Sequence, residues 1–372
     1  MKSCGIIAEY NPFHNGHIHH IQETRRLGGF DCLIAVMSGN FTQRGEPAVI
    51  DKRLRAAAAV ENGIDVVIEL PYIYAVQAAS GFAHGGITLL KTARVDAVSF
   101  GSECGNLENL QEIADTPVNP DHLRKAMDAG MSYPKAYSLL TSAMLPNDIL
   151  AVAYLKELKG SGITPLLVQR TNGYHDETMS SLCSAAAIRK ALSAGENIAD
   201  ATPMAELLEA GEPVFMDAYY PYLRTSLLLT PPERLRSYFL VSEGIENHLI
   251  RCASENADYA SFLKAAVTYR YTSSRIRRTC LSVMAQITKE EVRRLTALDT
   301  LRVLAFNDTG RTWLRQARDK GIRVASRFTD VPYLYRSMEY RTTLLYTSAM
   351  AEEKRRTVLK REITGAEYIR QS

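Results

Sequence analysis

Several signatures of nucleotide, nucleophile and thiol chemistry are missing from this 372-residue chain. It has no G-x-x-x-x-G-K-[ST] and no G-x-G-x-x-G, which excludes a P-loop and a dinucleotide fingerprint. A G-x-S-x-G nucleophile elbow is absent too. Six cysteines (Cys4, Cys32, Cys104, Cys183, Cys252, Cys280) are scattered without a C-x-x-C pair, so zinc and redox motifs are not expected. They read as reduced thiols, with Cys4 and Cys32 as small core residues. No apolar run reaches the ~18 residues that a membrane helix needs. The amino-terminal stretch carries one Lys and a short apolar segment interrupted by Glu9, unlike a signal peptide. A cytoplasmic protein with no membrane partner is expected.

What is present suits a sizeable globular chain. Hydrophobic residues make up 46% and charged residues 23%, and the length predicts two or three domains. The net charge of +3 hides an asymmetry. Of 44 basic and 41 acidic residues, 26 and 16 fall from Glu233 onward, leaving 18 and 25 before it. A basic second part suggests a polyanionic partner, although an Arg-rich solvated helical surface has the same composition.

The first 190 residues alternate short apolar runs (3–9, 32–38, 65–70, 96–100, 163–169) with helical patterns (51–62, 74–92, 106–114, 148–160). That order predicts a doubly wound parallel sheet with ligands at the carboxyl ends of its strands. Beyond Ala199 helical patterns dominate (204–210, 233–241, 257–269, 289–297, 310–320), with one short strand at Val324-Ala325-Ser326 and a terminal helix. We expect residues 1–200 to form the catalytic domain and 201–372 a basic, mainly helical one.

The most informative segment is Ile7-Ala8-Glu9-Tyr10-Asn11-Pro12-Phe13-His14-Asn15-Gly16-His17-Ile18-His19-His20. An apolar strand runs through a Pro turn into two histidines that open a helix. The helix start offers unpaired N–H groups and about half a positive charge. Imidazoles there can donate to phosphate oxygens as charge builds in a transition state. Zinc would need further ligands at the right spacing, so no metal site is expected.

Other candidates lie at strand ends. The segment Gly39-Asn40-Phe41-Thr42-Gln43-Arg44-Gly45-Glu46-Pro47-Ala48 leaves the second strand, and Asn40, Gln43 and Arg44 suit a substrate loop. Lys52, behind the cap Asp51, is placed to reach a phosphate, or to be an ordinary helix residue. Glu69-Leu70-Pro71 closes the third strand and Phe100-Gly101-Ser102-Glu103 the fourth, where Gly101 permits close approach of adenine or ribose. Asn147 is either a cap or a nucleotide contact. Arg170, after the fifth strand, is a phosphate clamp candidate. Ser184 reads as the cap of a helix carrying Arg189.

These residues resemble the HxGH nucleotidyltransferase superfamily, with Ser184 to Arg189 similar to its second motif, Ser-Ser/Ala-Thr-x-x-Arg. The fuller set of segments, from Glu9–His17 through Gly39–Ala48, Glu69–Pro71, Phe100–Glu103, Leu145–Asn147 and Arg170 to Arg278, resembles the bacterial tRNA(Met) cytidine acetate ligase family over most of the chain. The resemblance implies a Rossmann-like HxGH fold followed by a mostly α-helical part. It implies that acetate and ATP, with Mg²⁺, give acetyl-adenylate, and that the wobble cytidine of elongator tRNA(Met) then becomes N4-acetylcytidine. His14, His17 and Arg189 would be catalytic. ATP contacts would fall on Ile7 to His20, Gly101, Asn147 and Arg170, and tRNA contacts on Arg270, Arg275, Arg277 and Arg278. Interleaved Arg and Tyr near residue 270 suit RNA on general grounds. The chain departs from the second motif at Ala186, where the family usually has Thr. A charge-assisted hydrogen bond of about 1.5–3 kcal/mol is missing there. Two other classes fit parts of the pattern: an adenylyltransferase acting on a small molecule, and a non-catalytic RNA-binding relative.

Overall fold

The computed structural model describes residues 1–117, 121, 144–169, 183–211 and 213–370. Five strands from the first half build a parallel sheet: β1 (Ser3–Ala8), β2 (Cys32–Ser38), β3 (Val66–Leu70), β4 (Ala97–Ser102) and β5 (Thr164–Gln169). Their order is β5-β4-β1-β2-β3. The direction of winding therefore reverses between β1 and β4, which opens a crevice at the carboxyl ends of those two strands.

Near-continuous apolar strands bury both faces. In β2, Cys32, Ile34 and Val36 enter one core together with Ile87 and Leu90 of the helix Ala79–Ala93. Leu33, Ala35 and Met37 point the other way, toward Ile21, Ala56, Ala59 and Val60. The first of these cores continues into the carboxyl-terminal helices through Leu223, Leu249, Phe262, Ile276 and Met338.

The expected strands of the first half all form. The pattern over 74–92 instead gives two helices, Tyr72–Ala75 and Ala79–Ala93. The expected helix over 233–241 stops at Ser237, because Tyr238 bridges to Thr288 and the Phe239 amide donates to the Ile287 carbonyl at 2.8 Å. The second half also adds strands to the same sheet. β6 (Thr300–Phe306) runs antiparallel to β3, and β7 (Arg323–Ala325) and β8 (Glu367–Tyr368) pair with β6. The sequence pattern predicts only β7 among these.

Arg302 disguises β6 in the sequence, since a charge interrupts its apolar run. The structure buries that charge in an ion cluster. Arg302 meets Glu69 of β3 at 2.5 Å and Glu362 at 2.9 Å, while Lys52 pairs with Glu69 and meets Glu362 at 2.8 Å. Burial would raise the Glu69 pKa, but Arg302 and Lys52 hold it below the usual carboxylate range. Glu339 lies beside the cluster and accepts the Tyr72 amide at 2.7 Å. Burial, reinforced by the Glu69 charge, pushes its pKa up to about 8.

A carboxyl whose pKa is higher folded than unfolded adds stability that is complete below its unfolded pKa and is lost as pH rises through its folded pKa. For Glu339 that window runs from 4.5 to about 8. Urea unfolding of wild type and Glu339→Gln across this range is expected to show wild type losing stability relative to the variant as pH rises. Parallel profiles would mean that Glu339 is already ionised in the fold.

Candidate active site

β1 ends at Ala8, and the turn that follows delivers the histidines to the crevice. Tyr10 adopts a left-handed backbone (φ 48°) and its ring is buried, edge-on to Phe13 and His17 at 4.9 and 4.8 Å. His14 is the N-cap of the helix Asn15–Gly28. Its Nδ1 accepts the Gly16 amide at 3.0 Å, and His17 Nδ1 accepts the His14 amide at 3.2 Å. This is a capping box made of two imidazoles in place of the usual Ser and Glu. A Cβ at position 16 would stand 2.8 Å from the His14 ring, so the cap requires glycine.

The box fixes the chemistry of both rings. An imidazole whose Nδ1 accepts carries its proton on Nε2 when neutral. Each ring therefore carries an Nε2–H donor, and the two rings lie with centroids 3.8 Å apart and planes tilted by 36°. The expectation of unpaired helix N–H groups is corrected here. The Asn15 amide donates to the Ala201 carbonyl at 3.2 Å, and the Gly16 amide is held by His14. Those first two amides are therefore taken, which leaves side-chain donors and the helix dipole as what this turn can offer an anion. Asn15 anchors through its side chain to the Asp200 carbonyl at 2.8 Å, and His20 Nε2 lies 2.9 Å from the Ser99 hydroxyl of β4. Ile7, Ala8, Glu9, Ile18 and His19 are all half-buried along the same segment.

Across the crevice, Gly101 sits in β4, and two carboxylates knit its end to the helix Pro146–Leu158. Glu103 accepts the Asn147 side-chain amide at 2.5 Å and the Asp148 backbone amide at 3.1 Å. Asp148 in return accepts the Ser102 hydroxyl at 2.5 Å and the Glu103 amide at 3.0 Å. Asn147 is thus oriented by Glu103, a residue whose role the sequence signals only by its place at a strand end. Arg170 lies outside the described residues.

The loop after β2 is strapped to the histidine turn. The Gln43 amide donates to Glu9 Oε1 at 2.6 Å and the Val49 amide to Asn11 Oδ1 at 2.8 Å. Arg44 is half-buried at the tip of the turn. Asn40 has turned inward. Its side chain donates to Thr343 at 3.1 Å and accepts the Lys52 amide at 3.1 Å. Lys52, expected to reach a phosphate, is 2% exposed, and its ammonium is held by Glu69 and Glu362. The physical reason is burial: two carboxylates shut away from water require a cation beside them.

Arg189 joins the histidine turn. Its Nη1 donates to the Asn11 carbonyl at 2.8 Å, and its Nη2 lies 3.7 Å from Glu46 of the loop. Ser184 caps its helix by accepting the Ala187 amide at 3.2 Å, with Ala186 half-buried in the first turn. The helix Ser273–Ala285 reaches the same loop: Arg277 pairs with Glu46, and Arg278 donates to the Gln43 carbonyl at 3.0 Å. Burial lowers the Arg278 pKa to about 10, with Arg275 adding to the effect. Arg270 and Arg275 lie farther out, both on Glu243, at 2.9 and 3.2 Å. Glu46 joins these pieces, as does Arg55, which donates to the Glu9 and Ser38 carbonyls; sequence reasoning assigned neither to the site.

Among the described residues no three His, Cys, Asp or Glu side chains converge as a metal-binding set, and no helix is long and apolar enough to cross a membrane.

Residues 1–361 match the family model described as HIGH Nucleotidyl Transferase. A tRNA(Met) cytidine acetate ligase from Geobacillus sp. is 34% identical, covering 97% of this chain and 98% of the relative. One from Limosilactobacillus reuteri is 39% identical over 86% of this chain and 87% of its own length. Among solved structures, apo Thermotoga maritima TmcAL is 31% identical and superposes with a TM-score of 0.90 over the full length of both chains. The same protein bound with alpha-thio ATP gives 0.88, again over the full length of both chains at 31% identity. With this coverage and identity, and with paired imidazoles at the switch-point crevice, the chain belongs to the HIGH nucleotidyl transferase family and, within it, to the tRNA(Met) cytidine acetate ligases.

Proposed function

We propose that this protein activates acetate with ATP and transfers the acetyl group to the wobble cytidine of elongator tRNA(Met). The observation that carries the reading is the imidazole capping box, which fixes both histidines on one turn at the carboxyl end of β1, where a doubly wound sheet binds its ligand. The relatives' names and the nucleotide-bound neighbour support the same substrates.

An acetate oxygen attacks the α-phosphorus of ATP, the bond to the bridging oxygen breaks, and pyrophosphate leaves. His14 and His17 stabilise charge on the α-phosphate and the departing group. Arg189 and Arg170 hold the outer phosphates. Segment Ile7–His20, Gly101 and Asn147 hold the rest of the nucleotide. Mg²⁺ belongs with the triphosphate rather than with a protein cage. The cytidine amine then attacks the acetyl carbon, loses a proton, and releases AMP. Gln43 and Arg44 lie nearest this second step. Asn40 and Lys52 support the loop from below. Residues 1–200 supply the nucleotide chemistry, and 201–372 the basic surface, where Arg270, Arg275, Arg277 and Arg278 meet the RNA backbone. A cytoplasmic location follows from the substrate.

Mass spectrometry of nucleosides from tRNA incubated with the protein, ATP and labelled acetate tests the whole reading: labelled N4-acetylcytidine in the elongator tRNA(Met) fraction is expected. If label reaches another acceptor, the RNA assignment fails. Replacing His17 by Ala is expected to lower acetate-dependent pyrophosphate release by about 100-fold or more, the usual cost of one oxyanion donor, with tRNA affinity unchanged. An unaltered release rate would remove His17 from the chemistry. The pair Arg270→Ala and Arg275→Ala is expected to flatten the salt dependence of tRNA binding by about 0.7–0.9 log unit for each phosphate that the protein no longer neutralises. A wild-type slope would take them off the RNA surface.

A further inference from the structure

Glu46 stands between two cations that come from different parts of the chain. Its Oε2 is 3.7 Å from Arg189, and its Oε1 pairs with Arg277. Arg189 also holds the Asn11 carbonyl beside the histidines, at 2.8 Å. The three side chains are only 15–27% exposed, so their charges are weakly screened. The loop tip that carries the carboxylate is locked, so only its side chain can shift between the two arginines. Gly45, at φ +78°, lies so close to the helix Ser273–Ala285 that a Cβ there would be 2.5 Å from the Arg278 amide nitrogen. Arg278 itself donates to the Gln43 carbonyl from the same helix at 3.0 Å.

We propose that Glu46 is a positioning residue that couples the nucleotide site to the RNA surface, with the two ligands opposing each other. The proposal rests on the ligase reading above. One carboxylate serves two guanidinium groups, so whatever draws one of them off leaves Glu46 to hold the other more firmly. An RNA phosphate that engages Arg277 releases Glu46 toward Arg189 and loosens Arg189 from the outer phosphates of ATP. A triphosphate that engages Arg189 leaves Glu46 with Arg277 and weakens its hold on RNA. Linkage requires the two effects to be equal in size. Before chemistry this keeps the substrates from trapping each other. Once acetyl-adenylate has formed, arriving tRNA loosens the grip on the pyrophosphate that must leave.

The test uses the full-length protein, a non-hydrolysable ATP analogue and elongator tRNA(Met), without acetate. In wild type, saturating tRNA is expected to weaken analogue binding by about fivefold or more, the lower end of usual couplings between sites. Glu46→Gln keeps the shape but removes the charge, and the ratio is expected to fall toward one. Arg277→Gln should bind the analogue, without RNA, as weakly as wild type does with saturating RNA. A merely structural role predicts no such match. The coupling is overturned if Glu46→Gln keeps the wild-type ratio, or if Arg277→Gln binds the analogue like RNA-free wild type. A wild-type protein that binds the analogue but no tRNA overturns the RNA half of the ligase reading, and the coupling falls with it.

Discussion

The guanidinium of Arg55 fastens the carboxyl ends of the two central strands, and the site is built on that joint. It is fully buried and donates to carbonyl oxygens: to Glu9 at 2.6 Å, to Ser38 and Ile50 at 3.1 Å, and to Gly39. Removing such an ion from water costs roughly several kcal/mol. The cost is offset because the same carbonyls, at the point where β1 and β2 stop pairing, would otherwise be buried without donors. Desolvation lowers the Arg55 pKa, with Tyr346 and Asp51 acting against it. The histidine turn and the loop after β2 therefore leave the sheet from one fixed point, and their separate straps, Gln43 to Glu9 and Val49 to Asn11, have a rigid base.

The cations of this chain divide into two populations that look alike in the sequence. Lys52, Arg53, Arg55 and Arg302 are buried and bind the protein to itself, Arg53 through the carbonyls of Leu304, Thr364 and Gly365. Lys52, Arg53 and Arg302 tie the first-half sheet to β6 and to the end of the chain, and Arg55 ties β1 to β2 within it. Arg189, Arg270, Arg275 and Arg277 are partly exposed and pair with carboxylates, and the proposed RNA and nucleotide contacts are drawn from them. Catalysis by positioning and charge stabilisation requires both populations, since fixed donors cost no reorganisation when the reaction occurs.

Much of the site was legible because its chemistry is local. His14 and His17 are three positions apart, Gly16 lies between them, and a helix follows. That spacing alone brings both rings to one turn, and the capping box needs nothing from elsewhere in the chain. The strands of the first half were equally plain, since burial on both faces demands continuous apolar runs. β6 was not, because its buried Arg302 depends on Glu69 and Glu362, each far away in sequence. Lys52 misled for the same reason: a lysine behind a cap has no sequence mark that separates a phosphate ligand from a buried ion-pair partner.

Short-range patterns of residue type were enough to carry the family resemblance, which implied the reaction class, and to mark the crevice that holds the histidines and the basic character of the second half. Which charges are satisfied internally, and which remain for ligands, emerged from the folded chain alone. Folding brought Glu46 between Arg189 and Arg277 and set Glu103 over Asn147. The physical reason is that a charge is defined by its partners, and here those partners arrive from 44 to 231 positions away along the chain.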